Sequence, residues 1–298
     1  MKKSLFTVIL LLCTLLLSAQ SITIAPKLEK GIKKTYLSEM TMSILGMAEV
    51  SFKASTDYVV VDALPTGYVL ETTLTSFESD AKKDDLMSRI ITISLEMTKG
   101  LPCRIETDKQ GKPLRIQNYA DLEKRLDGVI DKLLTEIITE IPDAAAVDKN
   151  QLKQQIKSAV NEDKLFKSLT INSSPIALNG KTVSLGLQDE YQTDEGLKMK
   201  RTYIPSSDGS LSTNAVLSMT KEDMKQLILN KMKEQGAAQV DEAMIDNLLN
   251  SGMMKFDATE KSVYTFDKSG WVETLTVDAS SEVMGIKTYS KGIVTLKK

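Results

Sequence analysis

Three segments put a carboxylate ahead of a glycine: Asp108-Lys109-Gln110-Gly111, Asp208-Gly209 and Asp267-Lys268-Ser269-Gly270. Carboxylates placed this way could ligate calcium. An EF-hand loop, however, needs acids at alternate positions and a glutamate at its twelfth, and none of the three segments has them. Plain hairpin turns fit better, because Asp and Gly are what tight turns between strands require. Adjacent acids at Asp84-Asp85, Asp189-Glu190, Asp194-Glu195 and Glu222-Asp223 raise a second chemistry. Two carboxylates about 5–10 Å apart across a cleft can hydrolyse a glycosidic bond. These pairs fall in polar turns or at a helix start, so a carboxylate-based hydrolase is the third reading of function.

Other chemistries are excluded by what is missing. The chain has no histidine. That removes Ser-His-Asp and Cys-His nucleophilic sites, and zinc sites built on histidine. The glycines form no phosphate loop, dinucleotide fingerprint or nucleophile elbow. No catalytic residue, cofactor or metal site is therefore expected. Apolar content of 42% and charged content of 26% are ordinary for a globular protein. There is no basic field of the kind that binds nucleic acid.

The N-terminus reads as an export signal. Met1-Lys2-Lys3 precedes an apolar run from Leu5 to Leu17, then the small residues around Ala19-Gln20-Ser21. The run is too short to span a membrane, which takes about 20 apolar residues. Cys13 follows Leu12, not the small residue that lipoprotein processing needs, so it is expected to leave with the signal. The cut falls after Ala19 or Ser21. Residues 1–21 are thus a cleaved secretory signal, and no transmembrane segment remains. With Lys2 and Lys3 gone, 36 basic residues face 40 acidic ones, a net charge of −4. The location is periplasmic or extracellular, soluble rather than lipid-anchored. The one remaining cysteine, Cys103, reads as a small buried hydrophobe in a strand.

The remainder, 22–298, reads as a single α+β domain. "TYLSEMTMSIL" alternates with Tyr36, Met40, Met42 and Ile44 on one face. "AEVSFKAS" puts Ala48, Val50, Phe52 and Ala54 inward, and Gly46 between the two runs predicts a hairpin. "DYVVVDA" and "GYVLETTLTSF" follow, split by Pro65-Thr66-Gly67. Further alternation at Ile91, Ile93, Leu95 and Met97, then strand, turn and strand around Asp108, complete a meander of about six strands. From Asn118 the period becomes helical, through Leu122, Leu126, Ile130, Leu133, Leu134 and Ile137 to a stop at Pro142. Asn118 is the expected N-cap. A second helix is expected from Asp148, with Leu152, Ile156 and Val160 inward. Strands return from Ser174. Thr220 caps a third helix, and a fourth near Asp241 carries Met244 and Leu248. Helical segments near 119–169 and 220–250 thus interrupt the strands. Helical crossovers between successive strands are missing, which argues against a parallel sheet. The fold class expected is α+β, a curved, half-barrel-like antiparallel sheet with amphipathic helices packed on one face.

Methionine is the compositional oddity. Thirteen lie beyond Met1, while aromatics are only 5%. Flexible, polarisable methionine suits adaptable apolar pockets. The residues expected to line one are Met40, Met42, Ile44, Val50 and Phe52 from the sheet, with Leu126, Ile130, Leu133 and Ile137 from the helix. The leading reading is a non-catalytic exported protein that binds a lipid, an acyl chain or a lipidated partner between sheet and helices. The second is an envelope protein-interaction module with a solid core.

"KLEKGIKKTY", the Asp-x-x-Gly hairpins, the amphipathic helices and the closing "SGWVETLTVDASSEVMGIKTYSKGIVTL" resemble a group of secreted Gram-negative bacterial proteins of unknown function. Their plan is similar to the periplasmic lipoprotein-carrier fold, a curved half-barrel with helices over its concave side. The resemblance is one of pattern over most of the mature chain and assigns no residue a role. It implies a binding or carrier protein.

Overall fold

The computed structural model describes residues 21–44, 49–80, 98–140, 149–150, 153–154, 157, 161–170, 174–193, 196–234, 242–251, 254–283 and 285–298. The side chains of Ile44, Glu136, Ile137, Glu140 and Glu234 lie outside that description. The expected strands at Ile91–Met97 and the helix opening at Asp148, with Leu152, Ile156 and Val160, also lie outside it.

The chain is α+β, as its periodicities predict. Six strands come first: β1 (Ser21–Ile24), β2 (Lys33–Ile44), β3 (Val50–Leu64), β4 (Gly67–Ser79), β5 (Cys103–Asp108) and β6 (Pro113–Ile116). Helices α1 (Tyr119–Glu140) and α2 (Glu162–Thr170) follow. Then come β7 (Lys181–Ser184), β8 (Gln188–Gln192), β9 (Lys198–Pro205) and β10 (Leu211–Leu217). Helices α3 (Lys221–Glu234) and α4 (Glu242–Asn250) precede β11 (Phe256–Phe266), β12 (Val272–Val283) and β13 (Ile286–Leu296). Strands β1 and β7 pair alone, and the other eleven run in the order β6-β5-β4-β3-β2-β13-β12-β11-β10-β9-β8. The order ends on two different edge strands, so the sheet does not close. Every pairing with an assigned register is antiparallel.

Two compact units make up the chain. The first comprises Ile24–Lys181, Phe266–Thr276 and Lys291–Lys298; the second comprises Thr182–Thr265 and Val277–Ser290 with the chain up to Thr23.

In the first unit, the hairpin from Asp267 to Trp271 holds the segment that leads into β2. Asp267 Oδ1 accepts the amides of Ser269 and Trp271, the Asp267 amide donates to Trp271 O, and Gly270 N–H donates to Asp267 O. The Asp108 hairpin repeats this pattern with Gln110, Lys112 and Gly111. Gly111 and Gly270 both have positive φ, at 83° and 80°, the left-handed position such a turn reserves for glycine. The three turns considered for calcium chemistry therefore direct their carboxylates at their own backbone, Asp208 Oδ1 accepting the Ser210 amide at 2.9 Å. The same backbone frame recurs at Thr193–Leu197 and Ser206–Ser210. Trp271, 2% exposed, donates its indole N–H to Lys27 O at 3.1 Å.

Some expectations need correction. The alternating runs at Val50 and Asp57 are one 15-residue strand, β3. Asn118 precedes α1, and its carbonyl accepts the amides of Asp121 and Leu122. Its side chain does not cap the helix. It accepts from Arg104 N at 2.8 Å and donates to Pro102 O at 2.9 Å, which fixes the start of β5.

In the second unit, Thr220 caps α3 as expected. Its Oγ1 accepts Asp223 N–H at 3.1 Å, and Asp223 Oδ2 accepts Thr220 N–H at 2.9 Å, a reciprocal capping box. Met244 is 60% exposed; Ile245 and Leu249 carry the buried face of α4 and pack with Ile228 and Leu229 of α3. One period-3.6 stripe fits both assignments, and packing on α3 selects the neighbouring residues. Elsewhere in this unit Arg201 lies 5.0 Å from the ring centres of both Tyr191 and Tyr203, and Asp189 takes two of its N–H groups at 3.0 Å.

Two glycines give opposite tests of packing. A Cβ at Gly67, where β4 meets β5, would lie 1.8 Å from Thr107 O, so Gly67→Ala should cost about 2–3 kcal/mol. Gly128, in the exposed middle of α1, has nothing within 4 Å of that position, so Gly128→Ala should gain about 0.5–1 kcal/mol. Urea unfolding of both variants checks the signs.

Candidate functional site

The inward face of β2 and β3 is set by their register. Lys34 stands opposite Tyr58, Tyr36 opposite Thr56, Ser38 opposite Ala54, Met40 opposite Phe52 and Met42 opposite Val50. Strand β4 extends the face. A register shift after Ser55 leaves Thr75 unpaired, so Leu74 stands opposite Thr56 while Phe77 stands opposite Ala54. Without that bulge, Leu74 and Phe77 would point to opposite sides.

The apolar end of the face gathers Val50, Phe52 and Phe77, at 7%, 9% and 6% exposure, with Met40, Met42, Ala54 and Leu74 packed against them. The Phe52 and Phe77 rings stack with centres 5.8 Å apart. Met40 and Met42 are half-buried. Four of the five sheet residues expected to line a pocket thus come together; the side chain of the fifth, Ile44, lies outside the described residues. Of the helical set, Ile130 and Leu133 are buried at 5% and 6%, Leu126 is half-buried, and the side chain of Ile137 is again outside. Among the described residues these helical side chains are not part of the methionine cluster.

At its other end the face opens into a cleft of about 150 Å³. Its lining is Tyr36, Ser38, Thr56, Tyr58 and Val294 from the sheet, with Ser168, Leu169, Ser174 and Pro175 from α2 and the segment after it. Tyr36 and Tyr58 meet edge to face with ring centres 5.5 Å apart, and Tyr36 Oη donates to Val272 O at 2.8 Å. Burial pushes both phenols above their ordinary value; for Tyr36 the neighbouring Tyr58 and Asp267 add to it. Both therefore remain neutral donors. Thr56 and Tyr58 are not among the expected lining residues, because they fall at the junction of two alternating runs that the structure joins into one strand. The unbroken alternation Val50, Phe52, Ala54, Thr56, Tyr58, Val60 was the signal that could have found them.

The other candidate chemistries resolve into structure. Asp223 caps α3 and pairs with Lys198, and the Lys198 ammonium, then Thr220, draw its carboxyl down to about 2. Asp189 is held by Arg201 and by Tyr203 Oη at 2.8 Å. Asp84-Asp85 and Asp194-Glu195 lie outside the described residues. Cys103 is free and buried at the start of β5, and burial pushes its thiol up to about 12, which makes it inert. The lysines of Lys27 to Lys34 are largely paired: Lys30 with Asp62, Lys33 with Asp57 and Lys34 with Asp267, at 2.9, 2.7 and 2.8 Å. Among the described residues no helix is long and apolar enough to cross a membrane.

No family model matches the chain, and no curated protein matches it. Seven chains of solved structures match. One belongs to a structure addressing lipid–protein interactions in lipovitellin, at 8% identity and a TM-score of 0.40. The match covers 91% of this chain and 26% of that one, so the chain spans about a quarter of lipovitellin's length.

Asp267 ties the first unit to pH. Burial by itself would raise its carboxyl; the Lys34 ammonium, the Ser269 hydroxyl and the amides of Trp271 and Ser269 instead hold it below the usual carboxylate range. A depressed folded value means that this stabilisation is complete above the unfolded value, about 3.9 for Asp. It is lost as the pH falls through the folded value. Asp267→Asn should lower stability by about 1–2 kcal/mol at neutral pH and narrow the gap between neutral and acid stability. Urea midpoints of both proteins at neutral pH and about pH 3 read this out.

Proposed function

We propose that this is a non-catalytic exported protein that holds an apolar ligand, an acyl chain or the lipid of a lipidated partner, against the inward face of β2, β3 and β4. The observation that supports this is the convergence of Met40, Met42, Val50 and Phe52 with Phe77 and Leu74 into one cluster. Its two methionines keep part of their surface open. Methionine adapts its shape to an apolar guest, and an aromatic pair behind it gives a stiff floor. Export follows from the N-terminal signal, and the compartment is the periplasm or the exterior.

Met42→Gln separates a binding face from a solid core. In a binding face the half-buried side chain can turn its amide to water, so folding should change by less than about 1 kcal/mol while ligand capture falls. In a solid core the amide would be trapped without partners, at a cost of about 1–3 kcal/mol. Native mass spectrometry of the mature protein, purified without detergent, should find added mass matching an acyl lipid on the parent and less on the variant. A sharply lowered melt together with a bare parent mass would overturn the proposal.

A further inference from the structure

We propose that the hydroxyl-lined cleft between strands β2 and β3 and the segment that follows α2 receives the uncharged, hydroxyl- or ester-bearing head of an amphiphile whose hydrocarbon chain lies along Met40 and Met42. This rests on the proposed apolar-binding face and adds the class of ligand and its direction.

The cleft's lining carries six hydroxyl side chains and no charged one. Four of the six are occupied. Tyr36 donates to Val272 O, Ser168 donates to Leu165 O, Ser174 accepts from Ile176 N, and Tyr58 is hydrogen-bonded by Ser174 and Thr72. The remaining two, Ser38 and Thr56, have no hydrogen-bond partner among the described residues. They sit on the same face of adjacent strands, one cross-strand pair apart. Each can both donate and accept, so together they suit a hydroxyl or an ester carbonyl.

Direction follows from the register. One pair beyond Tyr36–Thr56 come Ser38 and Ala54, and the next pair is Met40–Phe52. A Cβ at Gly292 of β13 would lie 3.6 Å from Met40 Cε, so the Met40 side chain lies over a glycine of the neighbouring strand. From Ser38 to Met42 the strand rises about 13 Å, a usable length for a hydrocarbon chain.

Charge selects against an ionic head. The cation nearest along this face, Lys34, already pairs with Asp267 at 2.8 Å. An anion placed among the tyrosines would lose part of its hydration without gaining a free cation. The cleft's volume, about 150 Å³, suits a head group of glycerol size.

The test uses the mature full chain and N-phenyl-1-naphthylamine, a neutral apolar fluorophore, as the probe of the apolar face. Its displacement by 1-monopalmitoylglycerol is compared with displacement by palmitate at about pH 8, where palmitate is ionised. The glyceride is expected to displace the probe at a roughly tenfold lower concentration. Ser38→Ala combined with Thr56→Val should abolish that preference, with probe binding and melting temperature unchanged. If the double variant loses its melting transition, Ser38→Ala alone carries the test, with the preference expected to shrink about threefold. Probe binding with palmitate equal or superior, or a preference that survives the variants, overturns the head-group inference and leaves the apolar face standing. Failure of the probe to bind overturns the proposed function, and this inference with it.

Discussion

The first unit depends on one register, that of β2 on β3. Side chains alternate along a strand, so a slip of one residue would put Met40 and Met42 on the side opposite Val50 and Phe52. Both faces agree on the observed register. Inward, Met40 meets Phe52 and Met42 meets Val50. Outward, Thr35 donates to Asp57 at 2.6 Å, Lys53 pairs with Glu39 at 3.2 Å, and Thr41 meets Ser51 at 3.2 Å, each directly opposite its partner. The exposed Lys53–Glu39 pair adds little stability. Its value is to penalise the slipped register, where like faces would no longer match.

The bulge at Thr75 then decides how wide the apolar face is. Strict alternation along β4 allows either Leu74 or Phe77 to face inward, not both. One unpaired residue brings both in, and the Thr75 hydroxyl donates to Ser55 O at 3.0 Å, where the ladder is interrupted. A second shift, between Val60 and Asp62, leaves Val61 of β3 unpaired where the neighbouring Val69 and Leu70 of β4 are buried at 2% and 1%. Tight turns at Leu64–Gly67 and Asp108–Gly111 join β3 to β4 and β5 to β6. Gly67 is needed because the β5 backbone comes too near for any side chain.

The legible features were those carried by neighbours in sequence. Alternation revealed the β2 and β3 faces, Asp-x-x-Gly revealed the hairpins, and Thr220 with Asp223 revealed a helix start. The illegible features depend on partners distant in sequence. Strand β13 pairs beside β2, at the opposite end of the chain, and no local pattern encodes that neighbour. The bulge that turns Phe77 inward exists only relative to β3. Asn118 looks like a cap in sequence, yet its amide finds Arg104 and Pro102 because β5 lies beside it. The α4 stripe left Met244 and Ile245 as alternatives until α3 was there to choose.

The carboxylates follow the same logic, and their chemistry runs opposite to what a general acid needs. A general acid near neutral pH needs a raised carboxyl, obtained by burial away from cations. Asp223 and Asp267 are instead drawn down, each by a lysine ammonium and by hydroxyl and backbone donors. Donors aimed at an ionised carboxylate stabilise the turn or cap it terminates, and in doing so they remove the proton a general acid would donate. The two neutral hydroxyls of Ser38 and Thr56 are the contrasting case. They stand on a rigid ladder, in a cleft without charge, and are not committed to the fold. The carboxylates that hold the turns and caps together are ionised and saturated, whereas the hydroxyls of Ser38 and Thr56 are neutral and unsaturated.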